Sequence, residues 1–213
     1  LGVPKGTACI VNAVSYKDME IVVAGLQTAI EKGRRFLYRT AASFVRVRAG
    51  VAPKKTFLSA DDLTCDTHSG GLFIAGSYVP KTSRQLDLLC KVPDLFSIEV
   101  DVERVLSKTT CDDEIQRVVS LAENSLDSGQ DTAIYTSRKL IVSDDAESSR
   151  KIGQVVSDSL ISIVRQIKCQ PRYLVAKGGI TSSDIATKGL GVKRAMIMGQ
   201  ALPGIPVWQL GNE

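Results

Sequence analysis

A chain of 213 residues with 44% hydrophobic and 23% charged side chains has the composition of a globular protein with a real core, and no apolar run nears the about 20 residues of a membrane-spanning helix. A net charge of +4, basic residues scattered along the chain and only 5% aromatics argue against a nucleic-acid surface. Five cysteines without a CxxC pair and a single histidine argue against a zinc site and for reduced thiols buried as small apolar residues.

The opening, LGVPKGTACIVNAV, has one Lys and no small-residue cleavage pattern, so no signal peptide is expected and the cytoplasm is the expected location. Residues 8–14 read as a buried strand. Residues 17–32 read as a helix with Met19, Val22, Val23, Leu26 and Ile30 on one face, closed by Gly33. Phe36-Leu37-Tyr38 reads as a second strand. Residues 49–71 lack periodicity and are rich in Pro, Gly, Asp and Thr, which marks a linker and a domain boundary near residue 50. Beyond it strands and helices alternate: a strand at 72–75 and a helix at 82–91, then a strand at 96–100 and a helix at 112–127. A strand at 133–135 leads to a helix at 145–168, and a strand at 173–176 to a short helix at 182–188. Strands at 195–198 and 207–210 close the chain. This order predicts an α/β fold, a mostly parallel sheet with helices on both faces.

In such sheets ligands bind beyond the carboxyl ends of the strands. Three of those ends are rich in small and polar residues. Ala75-Gly76-Ser77-Tyr78 runs into Pro80-Lys81-Thr82-Ser83; Tyr135-Thr136-Ser137-Arg138-Lys139 forms the second; Lys177-Gly178-Gly179-Ile180-Thr181-Ser182 forms the third. Thr82-x-x-Gln85 and Thr181-x-x-Asp184 match the capping box, and a helix N-terminus beside glycines is a phosphate-binding arrangement. Lys177 and Arg138 add positive charge, and Ser77, Thr181 and Ser182 add hydrogen-bond donors. The same residues also read, without any ligand, as helix caps and a tight turn. Standard signatures are missing. GLFIAGS has the glycine spacing of a P-loop but Ser77 in place of its lysine, and Gly189-x-Gly191-x-x-Arg194 lacks the third glycine of the dinucleotide fingerprint. His68 reads as a solvated loop residue.

Four stretches together resemble the four-carbon acid sugar kinases: RFLYRTAASFVRVRAG (35–50), GGLFIAGSYVPKTSRQLDLL (70–89), YTSRKL (135–140) and LVAKGGITSSDIATKGLGVKRAMIMGQALPGIPVWQLG (174–211). The resemblance implies an enzyme that phosphorylates four-carbon acid sugars, of the 3-oxo-tetronate or erythronate type, with ATP and Mg²⁺. It implies that residues 1–50 are the tail of a sugar-binding domain, 51–70 a linker and 71–213 a truncated nucleotide-binding domain, with the rest of the parent enzyme and the catalytic base outside the chain. It assigns ATP contacts to Ser77, Gly178, Gly179, Ile180 and Thr181. Arg39, Lys177 and Ser182 are further candidates for phosphate or substrate contact. Asp184 is a weak candidate for Mg²⁺, because its capping role already explains it, and no metal site is expected. Ala60-Asp61-Asp62-Leu63-Thr64 looks like the family's Ala-Asp-Asp-x-Thr-Gly signature, but Cys65 stands in place of the glycine, and the match reads as coincidence. The rival reading is a non-catalytic module that binds a nucleotide or another phosphorylated metabolite within a multidomain protein.

Overall fold

The computed structural model describes residues 4, 6–52, 56–63, 67–76, 79–138 and 145–211. The chain divides into two compact units, Leu1–Phe57 and Leu58–Glu213.

The first unit holds α1 (Tyr16–Glu31) and α2 (Ala42–Arg48). Ser15 caps α1 by accepting from the Asp18 N–H, while the Asp18 carboxylate accepts from the Ser15 N–H, a complete capping box. The expected stripe Met19, Val22, Val23, Leu26 and Ile30 is half-buried, and Ala29 is the buried residue of the helix. Tyr38 packs against Phe36 and Phe44, and the Arg46 guanidinium lies over the Tyr16 ring. The strands expected at 8–14 and 36–38 do not form. A strand needs a neighbour to take its N–H and C=O groups, and among the described residues neither run has a ladder partner. Their apolar side chains stay in solvent: Ile10 is 92% exposed, and Val14 and Leu37 are fully so.

The second unit is α/β. Four parallel strands, β1 (Leu72–Ala75), β2 (Phe96–Val100), β3 (Thr132–Thr136) and β4 (Leu174–Lys177), lie in the order β2-β3-β1-β4. The register aligns Ile98, Ile134, Ile74 and Ala176 in one row, so side chains alternate between the two faces. Leu72, Ile74, Ile98, Val100 and Ile134 join one continuous core with α5 (Cys111–Asp127) and α6 (Ala146–Gln166). The α5 stripe Ile115, Val118, Val119, Ala122 and Leu126 is buried as its spacing predicts. On α6 only the second half is deeply buried, through Leu160, Ile161, Ile163 and Val164, while Val155 is 39% exposed. The other face is met by α3 (Pro80–Leu89) through Leu86 and Leu89. Two short helices went unread in the sequence, α2 and α4 (Val102–Leu106). The latter is capped by Asp101, whose carboxylate accepts from the Glu103 and Arg104 N–H groups.

The last two strands are not part of the parallel sheet. β5 (Met196–Leu202) and β6 (Ile205–Gln209) form a separate antiparallel hairpin, turned at Pro203-Gly204 with Gly204 at φ 79°. A two-residue turn joins antiparallel neighbours, whereas a parallel pairing needs a crossover of a dozen residues or more. The described cysteines Cys9, Cys90, Cys111 and Cys169 are free thiols. They are not the buried residues expected: Cys9 and Cys90 are exposed, and the other two are half-buried.

Candidate functional site

The carboxyl ends of β1 and β4 meet around one loop. β4 ends at Lys177, Gly178 turns the chain, and α7 (Gly179–Asp184) starts at once, passing into a π-helical turn at Ile185–Gly189. Gly178 sits at φ 114° and ψ 137°, a backbone conformation that a side chain disfavours. The loop is held from below. Ile185 is buried in the core, the Ser157 hydroxyl of α6 donates to Asp184 at 3.2 Å, and Lys188 pairs with the same carboxylate at 3.0 Å. Arg165 donates to the Lys188 carbonyl at 2.7 Å. Gly76, just past β1, fits tightly beneath: a Cβ there would lie 2.7 Å from Leu160 Cδ1 and 3.2 Å from Thr181 Oγ1.

Neither capping box read from the sequence forms. α3 begins two residues before Thr82, with Val79 as N-cap and Pro80 in its first turn, and α7 begins at Gly179, two residues before Thr181; no side chain caps either helix. Proline at the first helical position is already set for the helix, and this start outweighs the Thr82 signal. Asp184 is engaged by Ser157 and Lys188 instead of by its own helix N-terminus.

Lys177, Gly178, Gly179, Ile180, Thr181 and Ser182 are therefore contiguous around one turn. The Ser182 N–H donates to the Gly178 carbonyl at 2.8 Å, and its hydroxyl donates to the Gly179 carbonyl at 3.2 Å. Among the described residues, a Cβ on Gly179 would meet nothing within 4 Å, so none of them requires glycine there. Ile180 is 77% exposed. Lys177 points to the α3 face of the sheet, where it lines a slot of about 90 Å³ with Phe73, Ala75, Gln85, Leu86 and Val175. Ser77 lies outside the described residues. Arg39 is an exposed residue of the first unit, just before α2. Asp61 and Asp62 begin a 3₁₀ turn (Asp61–Leu63) in which Asp62 accepts from the Ser59 N–H and hydroxyl. Thr64 and Cys65 of that motif lie outside the described residues.

At the end of β3, Arg138 donates to Ser83 Oγ at 2.8 Å and so reaches the first turn of α3. Ser83 and Ser157 were not singled out in the sequence. Ser83 is the lone serine of α3 and Ser157 one of several on α6, and only the packing of strand ends against helices gives each its partner.

A larger cavity, about 470 Å³, lies at the opposite, amino ends of the strands, beside Asp94, Gln130, Asp131 and Arg172. Two of its charged groups, Asp131 and Arg172, are committed to the fold: Asp131 accepts from the Gly71 N–H, the Tyr173 hydroxyl and Arg172. Burial pushes the Asp131 carboxyl up, and these bonds more than offset it, leaving it below the usual range. In open α/β sheets this is not the ligand end. Among the described residues no group of three or more His, Cys, Asp or Glu is placed to hold a metal ion, and no helix is long and apolar enough to cross a membrane.

No curated protein matches the chain. Among solved structures, a Salmonella typhimurium LT2 protein assigned as a tRNA synthase superposes with a TM-score of 0.62 at 16% identity, over 94% of this chain and 46% of its own. That is a likeness of fold, and the chain spans about half the length of that relative. The model of the nucleotide-binding C-terminal domain family matches residues 72–213, the parallel sheet with its helices and the hairpin. The chain belongs to this family, the C-terminal domain of the four-carbon acid sugar kinases, and residues 72–213 are a nucleotide-binding module.

Proposed function

We propose that this chain supplies the nucleotide-binding half of an ATP-dependent kinase of four-carbon acid sugars, 3-oxo-tetronates or erythronate-type acids. One observation carries the reading: the family match spans the sheet whose β4 end carries Gly178-Gly179-Ile180-Thr181-Ser182, and no described residue crowds the place where a Gly179 side chain would go. A bare backbone that packing does not demand lets a ligand come close. In this reading Gly178, Gly179, Ile180, Thr181 and Ser77 contact ATP, while Lys177 and Ser182 lie beside its phosphates. Arg39 serves the acid substrate.

The chemistry is in-line transfer of the γ-phosphoryl group to a sugar hydroxyl. The hydroxyl oxygen forms the new P–O bond and loses its proton to a base of the sugar-binding half, and ADP leaves. Mg²⁺ would accompany ATP and offset the charge of its phosphates; Asp184, already bonded to Ser157 and Lys188, is committed to the fold. Catalysis of this kind is positioning and charge stabilisation. Bringing both substrates together is worth about 7–11 kcal/mol in favourable cases, so the chain without a sugar-binding half is expected to bind ATP and transfer nothing.

The test places Gly179→Val in a chain that carries both halves and follows ATP-dependent phosphorylation of a panel of four-carbon acids. Activity in the parent and its loss in the variant support the reading. Loss of a bound partner with no phosphorylation of any acid in the parent supports the non-catalytic module.

A further inference from the structure

We propose that Arg138, Thr82 and the first turn of α3 form a second anion station, which takes the outer phosphates of a nucleoside di- or triphosphate across from the 178–182 loop. The proposal rests on the nucleotide reading above and adds to it a residue set and a ligand preference. β1 lies between β3 and β4 in the sheet. The β3 and β4 ends are therefore two strand spacings apart, about 10 Å, a gap that a polyphosphate and an arginine side chain bridge together.

Three features of the α3 turn point to an anion. Its N-cap Val79 offers no side-chain cap, the first turn has no acidic residue and carries Lys81, and the Thr82 and Ser83 N–H groups both donate to the Val79 carbonyl, which among the described residues leaves the Lys81 N–H for a ligand. Arg138 comes from the neighbouring strand end and is oriented by its bond to Ser83 Oγ, a half-buried guanidinium whose fork geometry suits phosphate. Thr82 is 0% exposed, and its hydroxyl has no hydrogen-bond partner among the described residues. A helical Cβ leans toward the helix N-terminus, so the carbon that bears this hydroxyl leans toward the uncapped turn. A buried hydroxyl without a partner destabilises a fold; a phosphate oxygen, or a water held beneath one, supplies what it lacks. The 178–182 loop then holds the inner part of the nucleotide, and Arg138 reads whether further phosphates follow.

The test titrates the 213-residue chain with ATP, ADP and AMP in the presence of Mg²⁺, beside Arg138→Gln, Arg138→Lys, Thr82→Val and Gly179→Val. Arg138→Gln is expected to weaken ATP and ADP about tenfold or more, the scale of a charge-assisted hydrogen bond, and to leave AMP unchanged. Arg138→Lys should recover part of the loss. Thr82→Val should melt no lower than the parent without ligand, yet gain less from ATP, and it decides the matter where Arg138→Gln fails to fold. ATP binding equal to the parent in the Arg138 and Thr82 variants, with Gly179→Val defective, overturns the second station and leaves the nucleotide reading intact. An equal loss of AMP and ATP in Arg138→Gln also overturns it. A parent chain that binds none of the three nucleotides overturns both.

Discussion

Gly178 and Gly179 are adjacent glycines with different duties. Gly178 holds a positive φ, so Gly178→Ala is expected to cost about 1–3 kcal/mol of stability through backbone strain. Among the described residues nothing crowds a Gly179 side chain, so Gly179→Ala should leave the melting temperature level or slightly raised, because alanine is the better helix residue. Nucleotide affinity should fall in both variants. Thermal melts beside titrations separate the two duties, and a Gly179→Ala chain that binds ATP like the parent would remove that residue from the site. At the other end of the sheet the glycines are structural. A Cβ on Gly71 would lie 2.1 Å from the Tyr173 ring, which is fixed by its hydroxyl on Asp131 and its edge-on contact with Phe73. Gly71→Ala should therefore destabilise by about 1–3 kcal/mol, as overpacking does, with urea unfolding as the check and little change in intrinsic nucleotide affinity. Cys169 gives a chemical readout. Burial, then the neighbouring Asp127, pushes its thiol up to about 11. It should resist iodoacetamide at pH 8 far longer than the exposed Cys9, as peptide mapping would show.

Among the elements, the joint between β2, α4 and α5 is held by a buried carboxylate. Glu114 is wholly buried in the first turn of α5, accepts two bonds from Arg117 and one from the Asp101 N–H, and lies 3.5 Å from Arg104. Burial pushes its carboxyl up, and the bonds from Arg117 and Asp101 more than offset that, leaving it below the usual 4.5. A depressed folded value stabilises the protein above the unfolded value, and that stability is lost as pH falls below about 4.5 and through the folded value. Glu114→Gln should lose about 1–3 kcal/mol at pH 7 and flatten the acid limb of the stability curve; an unchanged acid limb would deny Glu114 this role. The same joint shows what was legible in the sequence. The helix read at 112–127 forms as α5, and the spacing of Ile115, Val118, Val119, Ala122 and Leu126 puts them on its buried face. That Glu114 turns inward to two arginines was not legible, because one is ten residues away and depends on α4. The capping boxes misled for a related reason: a four-residue pattern is blind to a proline or glycine that starts the helix two residues earlier.

Over the whole molecule, the parallel sheet was legible because each of its strands is a short apolar run followed by an amphipathic helix. The unpaired runs at 8–14 and 36–38 have the same composition and form no strand, since composition alone supplies no neighbour. The hairpin at 196–209 read as two more strands, and only its two-residue turn showed that they pair with each other. At the candidate site, the cluster from Lys177 to Ser182 was legible as one continuous loop, whereas the Ser83 and Ser157 supports come from distant helices. Hydrogen exchange should reflect this. Amides of β1 and β3, central in the sheet, should exchange slowest, and those of residues 8–14 and 36–38 fastest; protection of the latter in the isolated chain would show a pairing that the fold described above lacks.

Whether the turn after β4 holds a nucleotide is decided by calorimetric titration of the 213-residue chain with MgATP, beside the Gly179→Val variant. Saturable binding of one ATP per chain is expected, lost in a variant that melts like the parent. Equal binding by both chains would put the nucleotide elsewhere, and no binding by the parent would contradict the reading outright.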